Sequence, residues 1–290
     1  FFTSLETAAF MAEMFDFSNC GEEVSILDPG AGTGILTVAF VDRLLKEKSD
    51  IRVRITCYET DTEVLPVLKK NLEYLKNSFK ESLTYRILEE DYILSQSNDF
   101  QENLLASKNP KKYDYVIGNP PYLRVMRDNP SAIAMPKVVH GAPNLYFLFA
   151  SMSLYNLKNN AEMVYIIPRS WTSGAYFKAF REYFLNVGKI ESIHLFVSRD
   201  KVFNAEQVLQ ETMIIKVRKT AKKPENVLTS EPMTPEYLEI EKDYYLSRKT
   251  ENSWSDEEIN KYFSKPDSRL IEELENSNDK IIDEITGAAP

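Results

Sequence analysis

The run Tyr113-Asp114-Tyr115-Val116-Ile117-Gly118-Asn119-Pro120-Pro121-Tyr122 decides how the rest of the chain is read. Its first half alternates and is rich in β-forming residues, which predicts a strand. The Asn-Pro-Pro-Tyr that follows falls at the carboxyl end of that strand, where open α/β sheets carry their chemistry. Two successive prolines fix φ and remove two N–H donors. The backbone therefore cannot continue a ladder, and the carbonyls of Asn119 and Pro120 are left to face a ligand. Asn119 adds a side-chain acceptor and Tyr122 a flat aromatic face. This set suits a planar amine, both of whose hydrogens can be accepted while a ring stacks on the base that carries it. Taken alone, the tetrapeptide also has the form of a proline turn that ends a strand.

The sequence on either side separates these two readings. Residues 24–27 read as a short buried strand, followed by Asp28-Pro29-Gly30-Ala31-Gly32-Thr33-Gly34 and a helical pattern over 35–46. Strand, Gly-rich turn and helix in that order let a ligand approach the backbone closely and aim helix N-terminal amides at it. The spacing is G-x-G-x-G, so the dinucleotide fingerprint G-x-G-x-x-G is not met. Residues 52–58 form a second predicted strand ending in Glu59, a position from which a carboxylate can bind ribose hydroxyls. Asp61 is expected to cap a helix that runs to about residue 79, with Pro66 near its first turn. A third strand over 84–88 is closed by Glu89-Glu90-Asp91-Tyr92, which places Asp91 where it could accept from an adenine amino group. At the start of the chain, Thr3-Ser4-Leu5-Glu6 reads as a capping box with Thr3 at the cap and a helix over 4–16.

Beyond the motif, residues 123–142 show no clear period, and loops of that length are uncommon unless functional. Arg124, Arg127, Lys137 and His140 make this loop a candidate clamp over substrate. Residues 143–157 are helical and apolar all round, so Leu145, Tyr146, Phe147, Leu148 and Phe149 are expected in the core. A strand over 162–167 stopped by Pro168, a helix over 173–185, and strands over 189–196 and 212–217 complete the pattern. Phe203 falls in the connection between the last two strands.

With 290 residues, 43% of them hydrophobic, the chain can bury one core of about 200 residues and carry an appendage. No run approaches the roughly 18 apolar residues of a membrane span, and no secretion signal opens the chain, so a cytoplasmic protein is expected. Cys20 and Cys57 lack metal-ligand spacing, and no metal is expected. Phe1 opens directly on a functional pattern, so further residues are expected upstream. The net charge of −9 is unevenly distributed: residues 1–120 carry 13 basic and 20 acidic groups, 121–220 carry 13 and 7, and 221–290 carry 9 and 17. The basic third begins at the Asn-Pro-Pro-Tyr motif, which suits a polyanionic partner.

Together these residues resemble the S-adenosylmethionine-dependent N6-adenine DNA methyltransferases of restriction-modification systems, in the γ order of motifs. Phe2-Thr3-Ser4 is similar to the family's Phe-x-Thr-Pro opening, with Ser4 in place of the proline. The resemblance implies that Phe2 and Thr3 meet the methionine end of the cofactor, with Asp28, Gly30, Gly32 and Gly34 in its loop. It further implies Glu59 and Thr60 at the ribose and Asp91 and Tyr92 at the adenine. Asn119, Pro120, Pro121 and Tyr122 become the catalytic motif, and Phe203 a second aromatic beside an extruded base. The implied fold is a Rossmann-like α/β domain over 1–220: seven mostly parallel strands, an antiparallel final hairpin, and helices on both faces. Residues 221–290 become an acidic, partly helical extension leading toward a DNA-recognition domain. The implied reaction is methyl transfer to adenine N6 in double-stranded DNA after base flipping, in a bacterial or archaeal cytoplasm, with a fused or separate recognition domain or nuclease as partner. Asparagine at position 119 favours adenine N6, since cytosine N4 enzymes of related design usually show serine there. A protein glutamine N5-methyltransferase, which also carries Asn-Pro-Pro-Tyr, and a non-catalytic DNA-binding subunit are the two other readings.

Overall fold

The computed structural model describes residues 3–141, 143–173, 175–195, 212–220 and 228–230. Apolar runs bounded by turn residues become strands, and the amphipathic segments between them become helices, in the order α1 Leu5–Glu13, β1 Glu23–Asp28, α2 Ile35–Glu47, β2 Arg52–Tyr58, α3 Leu65–Phe79 and β3 Leu83–Leu88. The second half continues with α4 Ser97–Gln101, β4 Tyr113–Gly118, α5 Pro130–Ala134, α6 Leu145–Asn156, β5 Leu157–Pro168, α7 Lys178–Val187, β6 Gly188–Leu195, β7 Thr212–Lys219 and β8 Leu228–Ser230. The strands form one sheet in the order β3-β2-β1-β4-β5-β7-β6-β8. β1 to β5 run parallel to one another, whereas β7 runs antiparallel to both β5 and β6. The seven expected strands and the antiparallel hairpin are present, and the three-residue β8 adds an outer edge.

Two apolar layers cover the sheet. One gathers Met11, Val38, Phe40, Leu68 and Leu72 from α1, α2 and α3, with Phe15 just after α1, against Ile26, Ile55 and Ile117. On the other face Phe147, Leu148, Phe180 and Phe184 from α6 and α7 cover Val116, Met163, Tyr165 and Ile215. Away from the loop edge that carries the motifs, buried Glu162 accepts from Arg218, pairs with Lys216 at 3.1 Å, and accepts the Asp16 amide at 3.0 Å. An unpaired carboxylate there would be costly, so this cluster fixes the hairpin against β5.

Several boundaries depart from the expectations, each for a local reason. Ser4, not Thr3, caps α1: its Oγ accepts the Thr7 amide at 3.3 Å, which leaves the Thr3 side chain outside the helix. Asp61 does not cap α3 but holds a turn before it, accepting the Glu63 amide, and the helix starts beyond Val64. The stretch 123–142 is not an unstructured loop. Asn129 accepts the Ser131 amide and Pro130 sits in the first turn, which starts α5. Leu123 and Val125 are tied to Leu145 and Pro143 by backbone hydrogen bonds. β5 begins at Leu157, directly after α6, because Leu157 already pairs with Tyr113; the exposed residues 158–160 fall in the register shift before Glu162 pairs with Tyr115. Residues 169–172 and 175–177 are 3-10 turns, so α7 starts at Lys178.

The carboxyl end of β4 is tightly packed. A Cβ added at Gly118 would lie 2.9 Å from Cζ of Tyr165, and that buried ring cannot withdraw, since its hydroxyl meets Ser153 Oγ at 2.6 Å. Gly118→Ala is expected to lose about 1–3 kcal/mol, as overpacked sites do. Urea denaturation should show a lower midpoint, and a midpoint equal to the parent's would contradict this packing.

Candidate active site

β1 lies between β2 and β4, so the direction in which the strands are laid down reverses there, and the crevice outside the carboxyl ends of β1 and β4 is the natural ligand site. Leu27 pairs with Val116, which brings the loop after β1 beside the motif after β4.

The loop after β1 is built around a glycine that needs its freedom. Gly32 adopts φ +53°, and a Cβ there would meet nothing within 4 Å, so open space lies over the backbone. At the mouth of α2, Gly34 has φ +86°, and a Cβ would come within 2.8 Å of Leu68. The first amides of α2 have no partner within the helix and point toward the loop. Buried Asn71 reaches up from α3 and donates to the Thr33 carbonyl at 2.8 Å. Glu59 completes the frame. Its Oε2 accepts the Gly32 amide at 2.8 Å, and its Oε1 accepts the Thr60 and Asp61 amides, each at 2.8 Å. Two carboxylate oxygens offer about four acceptor positions, so three are used by the backbone and one remains.

Asp28, at the end of β1, is fully buried. Thr37 donates to its Oδ2 at 2.8 Å, while Oδ1 has no partner among the described residues. Burial pushes its carboxyl up to about 7, against the lowering effect of the Thr37 hydroxyl and the Gly30 amide. Asp28 thus supports the loop from below rather than presenting a side chain on its surface.

At the end of β4, Asn119 is half-buried and its Nδ2 donates to Thr3 Oγ1 at 3.1 Å. Its Oδ1 accepts from none of the described residues. The Tyr122 hydroxyl donates to the Ile166 carbonyl at 3.0 Å, and its ring stands edge-on to Tyr146 at 6.3 Å. The ring is held at its tip. Around this pair, Leu123, Met126 and Tyr176 are well exposed. Arg124 and Arg169 are exposed beside them.

The structure thus brings Thr3, the 28–34 loop, Glu59 and the 119–122 motif to one edge of the sheet. Other expectations change. Tyr92 is 2% exposed and its hydroxyl donates to Asn156 at 2.8 Å, so its ring packs in the core. Asp91 accepts the Ile93 and Leu94 amides through Oδ1, which makes it a turn former whose carboxylate is still exposed. Arg127 is not a mobile clamp, because its guanidinium donates to the carbonyls of His140 and Gly141. Phe149, expected in the core, is only half-buried and touches both Gly30 and Tyr92. Its all-apolar helix hid it; only the helical phase relative to the Gly loop could have singled it out. Phe2, Phe203 and most of 221–290 lie outside the described residues.

A family model described as Eco57I restriction-modification methylase matches residues 38–203, and a second, Treponema TP0368-like protein, matches residues 229–290. The chain is similar to the type II methyltransferase M.BsuBI of Bacillus subtilis, 34% identical over 76% of this chain and 43% of that protein. It is 35% identical to the type II methyltransferase M.PstI of Providencia stuartii, over 76% of this chain and 42% of that one. The chain thus spans less than half the length of these curated relatives. Among solved structures, a Listeria monocytogenes protein assigned to the class I S-adenosylmethionine-dependent methyltransferases superposes with a TM-score of 0.60 at 18% identity, covering 82% of this chain and 68% of that one.

The raised Asp28 pKa makes a prediction about stability. The unfolded carboxyl ionises near 3.8 and the folded one at about 7, so between these values the folded state holds the proton more tightly. Stability is therefore lost as pH rises through that window and is level above it. Asp28→Asn keeps an acceptor for Thr37 and removes the titration. Its unfolding free energy relative to the parent, from urea titrations, should rise from pH 4 to pH 7 by an amount on the order of a few kcal/mol. A difference independent of pH would show that Asp28 is not the group involved.

Proposed function

This chain belongs to the Eco57I restriction-modification methylase family, and from that premise we propose that it transfers a methyl group from S-adenosylmethionine to adenine N6 of double-stranded DNA, within a restriction-modification system. The observation that carries the amine target of this reading is Asn119, whose amide nitrogen is held by Thr3 while its oxygen is left to accept; the choice of adenine rests on the resemblance of the motif.

The residues after β1 and β2 fit such a cofactor. Gly32 leaves the space a side chain would fill, Glu59 keeps one acceptor position for a hydroxyl, and half-buried Phe149 offers an apolar face beside Gly30. Asp91, exposed just beyond β3, is proposed for the amino group of the cofactor's adenine, and Thr3 for its methionine end. The cofactor supplies an electrophilic methyl group on a sulfonium. Asn119 Oδ1 and the Pro120 carbonyl accept the two hydrogens of the target amine, so that its lone pair points away from both and toward the β1 loop. Pro121 keeps the backbone from turning inward. Holding the amine in that orientation supplies most of the rate.

A base reaches this site only outside its stack, at a cost of a few kcal/mol. Stacking on Tyr122, at about 1–3 kcal/mol per contact, offsets part of that cost, and Phe203 is proposed as a second aromatic. Exposed Arg124 and Arg169 and the apolar Leu123, Met126 and Tyr176 support a duplex lying over this edge. Sequence recognition is assigned to chain beyond residue 220, where the matching family changes between residues 203 and 229.

Two measurements test the reading. Incubation with labelled S-adenosylmethionine and either duplex DNA or a protein extract should label DNA, and nucleoside analysis should find N6-methyladenine that disappears in Asn119→Ala. N4-methylcytosine as main product, or label confined to protein as a glutamine N5-methyltransferase would give, overturns the assignment. Separately, Glu59→Ala should weaken cofactor binding by about 1–3 kcal/mol, as loss of a buried acceptor does. Calorimetry giving the parental affinity would remove Glu59 from the cofactor site.

A further inference from the structure

We infer that Thr3 is a positioning residue for Asn119, and that its hydroxyl links occupancy of the cofactor site to the orientation of the Asn119 amide. The inference rests on the methyl-transfer reading for its consequence, but its structural content stands on one contact, Asn119 Nδ2 to Thr3 Oγ1 at 3.1 Å.

The two ends of an asparagine amide have nearly the same shape, so packing alone hardly distinguishes them. Chemically they are opposite, and only the oxygen can accept from an amine. The backbone of residues 119–121 is fixed by its prolines, which leaves rotation of the amide as the remaining freedom of the group that holds the substrate. Thr3 is the described side chain that hydrogen-bonds it. Ser4 brings it there: by capping α1 with its own Oγ it leaves the Thr3 hydroxyl outside the helix. Packing of α1, through Ala8, Met11 and Ala12 in the core, fixes the height of that hydroxyl over the sheet edge.

A threonine hydroxyl has one hydrogen and can accept as well as donate. Free, it serves the Asn119 amide in either orientation. Once its hydrogen is donated to an acceptor at the methionine end of the cofactor, it can only accept from Asn119. Nδ2 must then face Thr3, and Oδ1 faces the amine. Cofactor binding would thereby set the amide before the base arrives.

The test compares Thr3→Val, which keeps the shape without the hydroxyl, with Thr3→Ser, which keeps the hydroxyl. In protein labelled with 15N-asparagine, the Asn119 side-chain amide signal, identified by its loss in Asn119→Ala, should shift in Thr3→Val but stay near parental in Thr3→Ser. Adding S-adenosylhomocysteine should narrow it to one state in the parent and not in Thr3→Val. At saturating cofactor, kcat should fall roughly tenfold in Thr3→Val and recover in Thr3→Ser, about the effect of one hydrogen bond that matters in the transition state. Melting curves confirm that both variants fold. An unmoved Asn119 signal in Thr3→Val, or a change in cofactor Kd with parental kcat, overturns the proposal. If the parent methylates no DNA the functional reading fails, while the Asn119 signal still decides whether Thr3 holds the amide.

Discussion

The candidate site depends on one carboxylate. Glu59, at the end of β2, accepts the amide of Gly32 from the neighbouring loop and the amides of Thr60 and Asp61 from its own turn. Hydrogen bonds to an ionised acceptor are roughly twice as strong as neutral ones, and here three of them converge. They hold Gly32 in the left-handed conformation that exposes its backbone, and they fix the turn that leads into α3. From α3, Asn71 returns to the Thr33 carbonyl and Leu68 packs beneath Gly34. The loop is therefore held from both of its sides, by β2 and by α3. A ligand meets amides whose positions are already set.

That arrangement explains which parts were legible in the sequence. Strand, Gly-rich turn and helix are local patterns, so β1, β2, β4 and the two loops after β1 and β4 could be read from composition and period. What failed was competition between neighbours. Thr3 and Ser4 are both good caps, and only the packing of α1 selects Ser4 and leaves Thr3 to Asn119. Tyr92 follows an acidic turn in the manner of a ligand contact, yet Asn156 and Ser153 on α6, more than sixty residues away, provide the buried partners that draw it inward. Asn129-Pro130 is a sound start for a helix, but α5 is too short to show a period. Phe149 could not be told from its apolar neighbours, because its half-exposure depends on where the β1 loop lies.

Charge was the least transferable quantity. The excess of basic residues after position 120 points to a polyanion, but the structure uses much of it internally. Lys158 pairs with Asp114, Lys216 and Arg218 with Glu162 and Glu191, and Lys178 with Glu182. Arg127, Arg181 and Lys219 donate to carbonyls. Among the described residues, exposed basic side chains after the motif such as Arg124 and Arg169 stand with exposed apolar ones such as Leu123 and Met126. Such a surface gives modest, salt-sensitive attraction.

The acceptors proposed to hold an amine would also limit what such a site discriminates. On that reading two oxygens, from Asn119 and Pro120, would reject any base that presents a carbonyl in that place, because two acceptors would face a third and all would be left unpaired. Thymine O4 and guanine O6 are excluded in this way. Adenine N6, cytosine N4 and a glutamine amide all satisfy the pair equally well, so the choice among them must come from the walls. The described wall is Tyr122, tied at its hydroxyl to Ile166 and backed by Tyr146. A ring held at that height accepts a flat heterocycle and offers an amide side chain little beyond its edge. On the proposed reading, a preference for a base over a peptide amide would come from that stacking surface, whereas preference for a purine over a pyrimidine needs a second boundary that measures the width of the ring.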